Sequence, residues 1–338
     1  MAGEKESEPG ADKGGAGGSA GSRRHHFVCD LCPVIVTKLD TFGGHRDCVY
    51  ALAAGASRPD QADAGTFYSA GGDGLVVRWQ LGRPDLGELI AQVPASVYAL
   101  ARHPESGLLW VGQNYEGLHL IDPVQKTEVA SLKLTSAAIF DIAFHKDDAF
   151  VALGDGVVAV VDVASRAVRR HLKATDQSAR SLAVNPVERE LAVGYSDNTV
   201  RIFDLNTLTL TRVIPAHTNS VFTLVYSPDF RYLLTGSRDA HLKVWDVEQG
   251  YALHTDVVAH LFTINRIAYS PDGRLFATAS MDKAVKIWDA ETFRLLKVVD
   301  RARHAGHGTS VNTLLWPSGP DIVVSASDDR TISVWQIR

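Results

Sequence analysis

The chain of 338 residues is short of cysteine, without a basic surplus and without a long apolar run, and each shortage removes a class of protein. Its three cysteines, Cys29, Cys32 and Cys48, are too few and too clustered to staple a chain of this length. No disulfide framework is expected, and a reducing, cytoplasmic setting follows. No apolar stretch approaches the ~18 residues of a membrane helix, which argues against an integral membrane protein. Lys and Arg number 34 against 39 Asp and Glu, a formal net charge of −5. A nucleic-acid binder should carry a basic stripe, so nucleic acid is disfavoured as a partner. With 45% hydrophobic and 22% charged residues, what remains is an ordinary globular composition with apolar side chains enough for a sizeable core.

Residues 1–27 are rich in Gly, Ala and charge and have no apolar periodicity, so a disordered tail is expected there. Ser22-Arg23-Arg24 ahead of Phe27-Val28 has the outline of a twin-arginine export signal. Asp30 and Pro33 interrupt the apolar stretch and no small-residue cleavage site follows, so export is disfavoured. Cys29-Asp30-Leu31-Cys32, with His25 and His26 upstream, has a spacing that can hold zinc. A structural zinc site needs four placed ligands and there is no second CxxC, so the pair is read as two small hydrophobes leading into a strand. No metal or cofactor is expected.

Two stretches carry one pattern: AHTNSVFTLVYSPDFRYLLTGSRDAHLKVWD from Ala216 and AHLFTINRIAYSPDGRLFATASMDKAVKIWD from Ala259. His217 aligns with His260, Asp239 with Asp282 and Trp245 with Trp288, a period of 43 residues. Each copy reads as about four short strands broken by Ser-Pro-Asp and Asp-containing turns. One such sheet cannot bury both faces, so copies must stack. The closing strand of the unit recurs at Trp79, Ile121, Val161, Phe203, Trp245, Trp288 and Trp335, in steps of 42, 40, 42, 42, 43 and 47 residues. Seven units leave no room for another domain. Gly55–Gly65 and Asp300–Gly306 are extra lengths expected to protrude as solvated loops.

The Gly-His or Ala-His start, the Ser-Pro-Asp turn, the Asp six residues before Trp and the Trp-Asp end resemble the WD-repeat family, over residues 33–338. The resemblance implies an all-β fold, a seven-bladed β-propeller of four-stranded antiparallel blades. Units two to four lack the His and are assigned by spacing and strand pattern. In the family an N-terminal strand usually completes the last blade, and Pro33–Leu39 (PVIVTKL) has the composition and position to do so, which would abolish a free sheet edge.

Four units hold His, a hydroxyl residue, Asp and Trp at matched positions: His45, Ser69, Asp73 and Trp79; His217, Thr235, Asp239 and Trp245; His260, Thr278, Asp282 and Trp288; His307, Ser325, Asp329 and Trp335. The residue types are those of a hydrolytic triad, but a triad is one set beside one cleft, whereas these recur at a structural period. The resemblance implies a buried hydrogen-bond chain in each blade, so no catalytic residue is assigned. Units two to four are expected to rely instead on apolar packing, as in LLWVG and AFVALG.

Function is then expected on the propeller surface. The second residue of each inner strand should face the channel mouth, giving Tyr50, Tyr98, Phe140, Arg180, Phe222, Asn265 and Asn312. The residue before each turn Asp should border the same rim, giving Gly72, Ser196, Arg238, Met281 and Asp328. In WD-repeat relatives these positions often contact peptides or protein partners, and aromatic residues with Arg and Met beside them have the composition of interface hot spots. The expectation is a non-catalytic scaffold or adaptor for protein or peptide partners, monomeric by itself within a larger complex. The alternatives are an enzyme with its site in the channel mouth, disfavoured by mainly aromatic and amide lining, and a phosphopeptide or degron reader using Arg180 and Arg238, for which two arginines fall short of a cluster.

Overall fold

The computed structural model describes residues 34–56, 65–317 and 321–338. The expected tail, the Ser22–Arg24 and Cys29–Cys32 motifs, and most of the Gly55–Gly65 loop lie outside the described residues. The described chain forms seven four-stranded antiparallel sheets, each hydrogen-bonded in chain order from inner to outer strand, with one exception. In the last blade Val311–Leu315, Ile322–Ser327 and Ile332–Ile337 are joined on the outside by Val36–Phe42. The protein is a seven-bladed propeller closed by its N-terminal strand.

Burial follows the position of a strand in its blade. Second strands such as Thr66–Gly71 are buried along their whole length, whereas the outer strand Val168–Lys173 buries only Leu172. The core therefore lies between blades. Ala192, Val200, Ile202 and Ile214 of blade 4 pack against Val221, Leu224, Leu233 and Trp245 of blade 5, and comparable clusters fill the other seams. Each blade supplies half of two cores, which is why a lone unit could not fold. In blades 2 and 3, which lack the His, Leu109, Trp110 and Val111 and the run Phe150–Leu153 are all buried. Phe144 bridges the Trp110 ring at 5.3 Å and the His103 ring at 4.9 Å.

The closing strand sits a little further along the chain than its sequence pattern places it. Pairing with the last blade runs from Val36 opposite Ile337 to Phe42 opposite Ile332, with a bulge between Lys38 and Asp40 that turns Leu39 outward. Ile35 and Arg338 exchange both backbone hydrogen bonds, at 2.8 and 2.9 Å. Lys38 donates through Nζ to the Ala305 carbonyl at 2.8 Å and lies over the Trp335 ring. Phe42 extends the strand because its ring is buried against Phe67 and Trp79 of blade 1. The Asp300–Gly306 segment forms a short exposed helix, Arg301–His304, with Asp300 as its N-cap. No described helix is long and apolar enough to cross a membrane.

Candidate functional site

The four tetrads are hydrogen-bond chains. In blade 5 the Trp245 indole Nε1–H donates to Thr235 Oγ1 at 3.0 Å, His217 Nε2 lies 2.8 Å from the same oxygen, and His217 Nδ1 lies 3.1 Å from an Asp239 carboxylate oxygen. With the hydroxyl accepting from the indole and giving its own proton to Nε2, Nδ1–H faces the carboxylate, an arrangement that a neutral imidazole satisfies. The same connections join His45, Ser69, Asp73 and Trp79; His260, Thr278, Asp282 and Trp288; and His307, Ser325, Asp329 and Trp335. Burial lowers the pKa of His217 and His260 below its ordinary value, against the pull of their carboxylates. Burial works to raise Asp282, but the His260 hydrogen bond and charge and two backbone N–H groups outweigh it and hold the carboxyl at about 2. Each Asp also accepts the backbone N–H of the residue after the His, Arg46, Thr218, Leu261 or Gly308. The tetrads thus pin the loops that form one rim of the propeller.

That rim is built by a second repeated device. Every inner strand carries a β-bulge, and the residue left without a ladder partner is Tyr50, Tyr98, Phe140, Arg180, Phe222, Asn265 or Asn312 in turn. A bulge re-aims the side chain it frees, and all seven line one cup of about 540 Å³ at the channel mouth. A further hydrogen bond ties the rim to the bulge in all seven blades. The N–H of Gly72, Asn114, Gly154, Ser196, Arg238, Met281 or Asp328 donates to the carbonyl two residues before the bulge residue, at 2.8–3.1 Å. Asn114 and Gly154 hold the rim position in blades 2 and 3, where the sequence reading assigned none. Their turns, Asn114-Tyr115-Glu116-Gly117 and Gly154-Asp155-Gly156, sit in blades without the His or the Trp-Asp ending.

The cup has two unlike walls. Along blades 1–5 the side chains form a continuous arc: Tyr50 and Tyr98 have ring centroids 4.7 Å apart, Tyr98 and Phe140 5.9 Å, and the Arg180 guanidinium lies 4.2 Å from the Phe140 ring and 4.9 Å from that of Phe222. On blades 6 and 7 the amides work for the fold. Asn265 donates to the Val311 carbonyl at 2.8 Å, and Asn312 donates to the Val49 carbonyl at 3.1 Å and to Asp328 at 2.7 Å. Both stitch one blade to the next, which leaves the aromatic arc as the adaptable wall.

Arg266, Asp141 and Tyr115 of the cup, and Leu261 and Phe262 of its rim, were not among the positions the sequence assigned to the mouth. Arg266 of blade 6 reaches across the channel to within 3.7 Å of Asp141 in blade 3. Asp141 also accepts from the Leu182 and Ile142 N–H groups and from the Ser181 hydroxyl, so it is fully engaged. Tyr115, with a left-handed φ of 72°, also lines the cup. On the rim of blade 6, Leu261, Phe262 and Met281 are 81%, 58% and 55% exposed. The signal for Leu261 and Phe262 was in the twin repeats, where the matching residues are Thr218 and Asn219, and Asn219 caps the Ser220 N–H at 2.8 Å. Phe262 cannot cap, and it stands exposed beside Leu261. Arg238 is exposed on the same rim. The Cys48 thiol, pushed up to about 11 by burial and by its hydrogen bond with Asp328, is not a thiolate at neutral pH. Among the described residues no group of three or more His, Cys, Asp or Glu side chains is placed to hold a metal ion.

The fold and the cup define a class, that of circular propellers that present loops and bulge residues around a closed mouth. WD40, described as WD domain, G-beta repeat, matches residues 167–204, 208–246, 251–289 and 300–336, each ending on the third strand of blades 4 to 7. The chain belongs to the WD-repeat β-propeller family. The crystal structure of the WD40 beta propeller domain of Doa1 superimposes with a TM-score of 0.76 at 16% sequence identity, over 90% of this chain and 97% of that one. At that identity the likeness shows the fold.

Proposed function

We propose that the protein is a non-catalytic scaffold that receives a segment of a protein partner in the cup at the channel mouth. The observation that carries the reading is the convergence of all seven bulge side chains on one space, with four aromatic rings on its free wall. Rigid aromatic side chains give large contact area at low entropic cost, and the exposed Leu261, Phe262 and Met281 extend the apolar surface over the rim. Asp141, the carboxylate among the residues that line the cup, and Asp328 on the rim are taken up by hydrogen bonds within the fold, which favours binding over acid-base chemistry. Replacing Tyr98 and Phe222 together with Ala, followed by affinity capture and mass spectrometry, tests the reading. An unchanged melting temperature with loss of specific partners is the expected result; unfolding would mean that the rings serve only to pack the channel.

A further inference from the structure

The cup contains one cation that the fold leaves without a counter-charge. Arg180 comes from the bulge of blade 4, with its guanidinium between the rings of Phe140 and Phe222 and its Nε–H donating to Ser196 Oγ at 3.0 Å. Among the described residues no carboxylate pairs with it and no acceptor takes up either of its Nη nitrogens. The other arginine of the cup, Arg266, is different, because it faces Asp141 across the channel. Arg238, the charged group nearest in effect, repels Arg180, and it is exposed on the rim. A guanidinium partly stripped of water by two aromatic faces and held at Nε presents its remaining N–H groups in a fixed plane. That is the geometry in which a carboxylate is accepted on two parallel hydrogen bonds.

Resting on the reading of the cup as the binding face, we propose that Arg180 is the receptor for an Asp or Glu side chain of the partner segment. An aromatic or aliphatic neighbour in the same segment would lie along Tyr98 and Phe140. One uncompensated cation matches one carboxylate. A phosphate dianion would call for a second cation inside the cup, and there the only other arginine is already paired with Asp141.

The test uses the full chain as bait for a random dodecamer peptide display library. Peptides that depend on Tyr98 and Phe222 are expected to share an acidic residue next to an apolar one. The leading peptide should bind about tenfold to a hundredfold more weakly to R180M, the range of a lost charge-assisted hydrogen bond. It should weaken equally on wild-type protein when its acidic residue becomes Asn or Gln, with no further loss when both changes are combined. The peptide-side change reads the contact even if R180M folds poorly. R180K, which keeps the charge and loses the fork, should fall between. Peptides that need Tyr98 and Phe222 but show no acidic preference, or bind R180M unchanged, would overturn the carboxylate assignment and leave the cup standing. A phosphoserine version that binds more tightly than the acidic one would overturn it in favour of phosphate. Recovery of no peptide dependent on Tyr98 and Phe222 would overturn both.

Discussion

Replacing Phe42 with Ala should unfasten the ring. Phe42 ends the closing strand and pairs in register with Ile332, yet its ring is wholly buried (0% exposed), on the blade 1 side of the seam. It lies edge-on to Phe67 at 5.4 Å and to Trp79 at 5.5 Å, in a cluster with Val49 and Val77 of blade 1 and Val324 and Val334 of blade 7. One side chain thus holds the first and last blades together. Truncating a buried Phe costs about 3–5 kcal/mol, and aromatic pairs of about 0.5–1.5 kcal/mol each place this site in the upper half of that range. Set against a total stability on the order of 5–15 kcal/mol, this is a large share of what keeps the domain folded. Urea denaturation followed by tryptophan fluorescence measures the loss. Leu39→Ala, on the same strand but exposed at the bulge, is the control and should stay within about 0.5 kcal/mol of the parent. A chain beginning at Gly43 removes the whole strand, exposes the edge of Ile332–Ile337, and should aggregate in size-exclusion chromatography. A Phe42→Ala loss under about 1 kcal/mol, which would fall outside the range for a buried Phe, or a monomeric Gly43 chain with unchanged melting temperature, would refute closure by this strand.

Thr235→Val keeps the shape of the blade 5 tetrad while orphaning the Trp245 indole N–H and His217 Nε2, both buried. Two unsatisfied groups at about 1–3 kcal/mol each predict a loss of roughly 2–6 kcal/mol in urea denaturation. Adding Trp245→Phe should cost less than the sum of the two single changes, because one orphan is then gone; a neutral Thr235→Val would show that the chain contributes nothing. Stability should also fall in acid. Burial holds His217 and His260 below 6.5, so the unfolded chain binds protons first as the pH drops under that value. Asp282, held at about 2, removes further stability between about pH 4 and 2, and Asp239 and Asp329 are lowered in the same sense. Glu190, pushed up by burial, opposes the trend, but His103, His145 and His304 are lowered like the two tetrad imidazoles. A urea midpoint that does not fall between pH 7 and 5 would contradict this sign.

The matched His, hydroxyl, Asp and Trp of four units, and the same spacing carried through Ile121, Val161 and Phe203, make seven stacked sheets legible in the sequence. A repeat states its own geometry, because residues at equivalent places in equivalent blades meet equivalent neighbours. For the same reason Tyr50, Tyr98, Phe140, Arg180, Phe222, Asn265 and Asn312 could be read as one ring of positions, and the bulge in each inner strand brings all of them to the cup. What could not be read is everything that depends on the ring being closed and curved. The start of the closing strand shifted because the burial of Phe42 against blade 1 decides where pairing ends. Asn265 and Asn312 stitch blades together because their amides reach a neighbouring inner strand. Arg266 finds Asp141 only across the channel, between blades that never touch along the chain. Arg180 is left unpaired by that same arrangement. Sequence determined the blades and which residues each offers to the mouth. The tertiary structure alone decided which of those side chains are consumed in holding blades to one another and which are not, because that division depends on distances across the ring that no local pattern encodes.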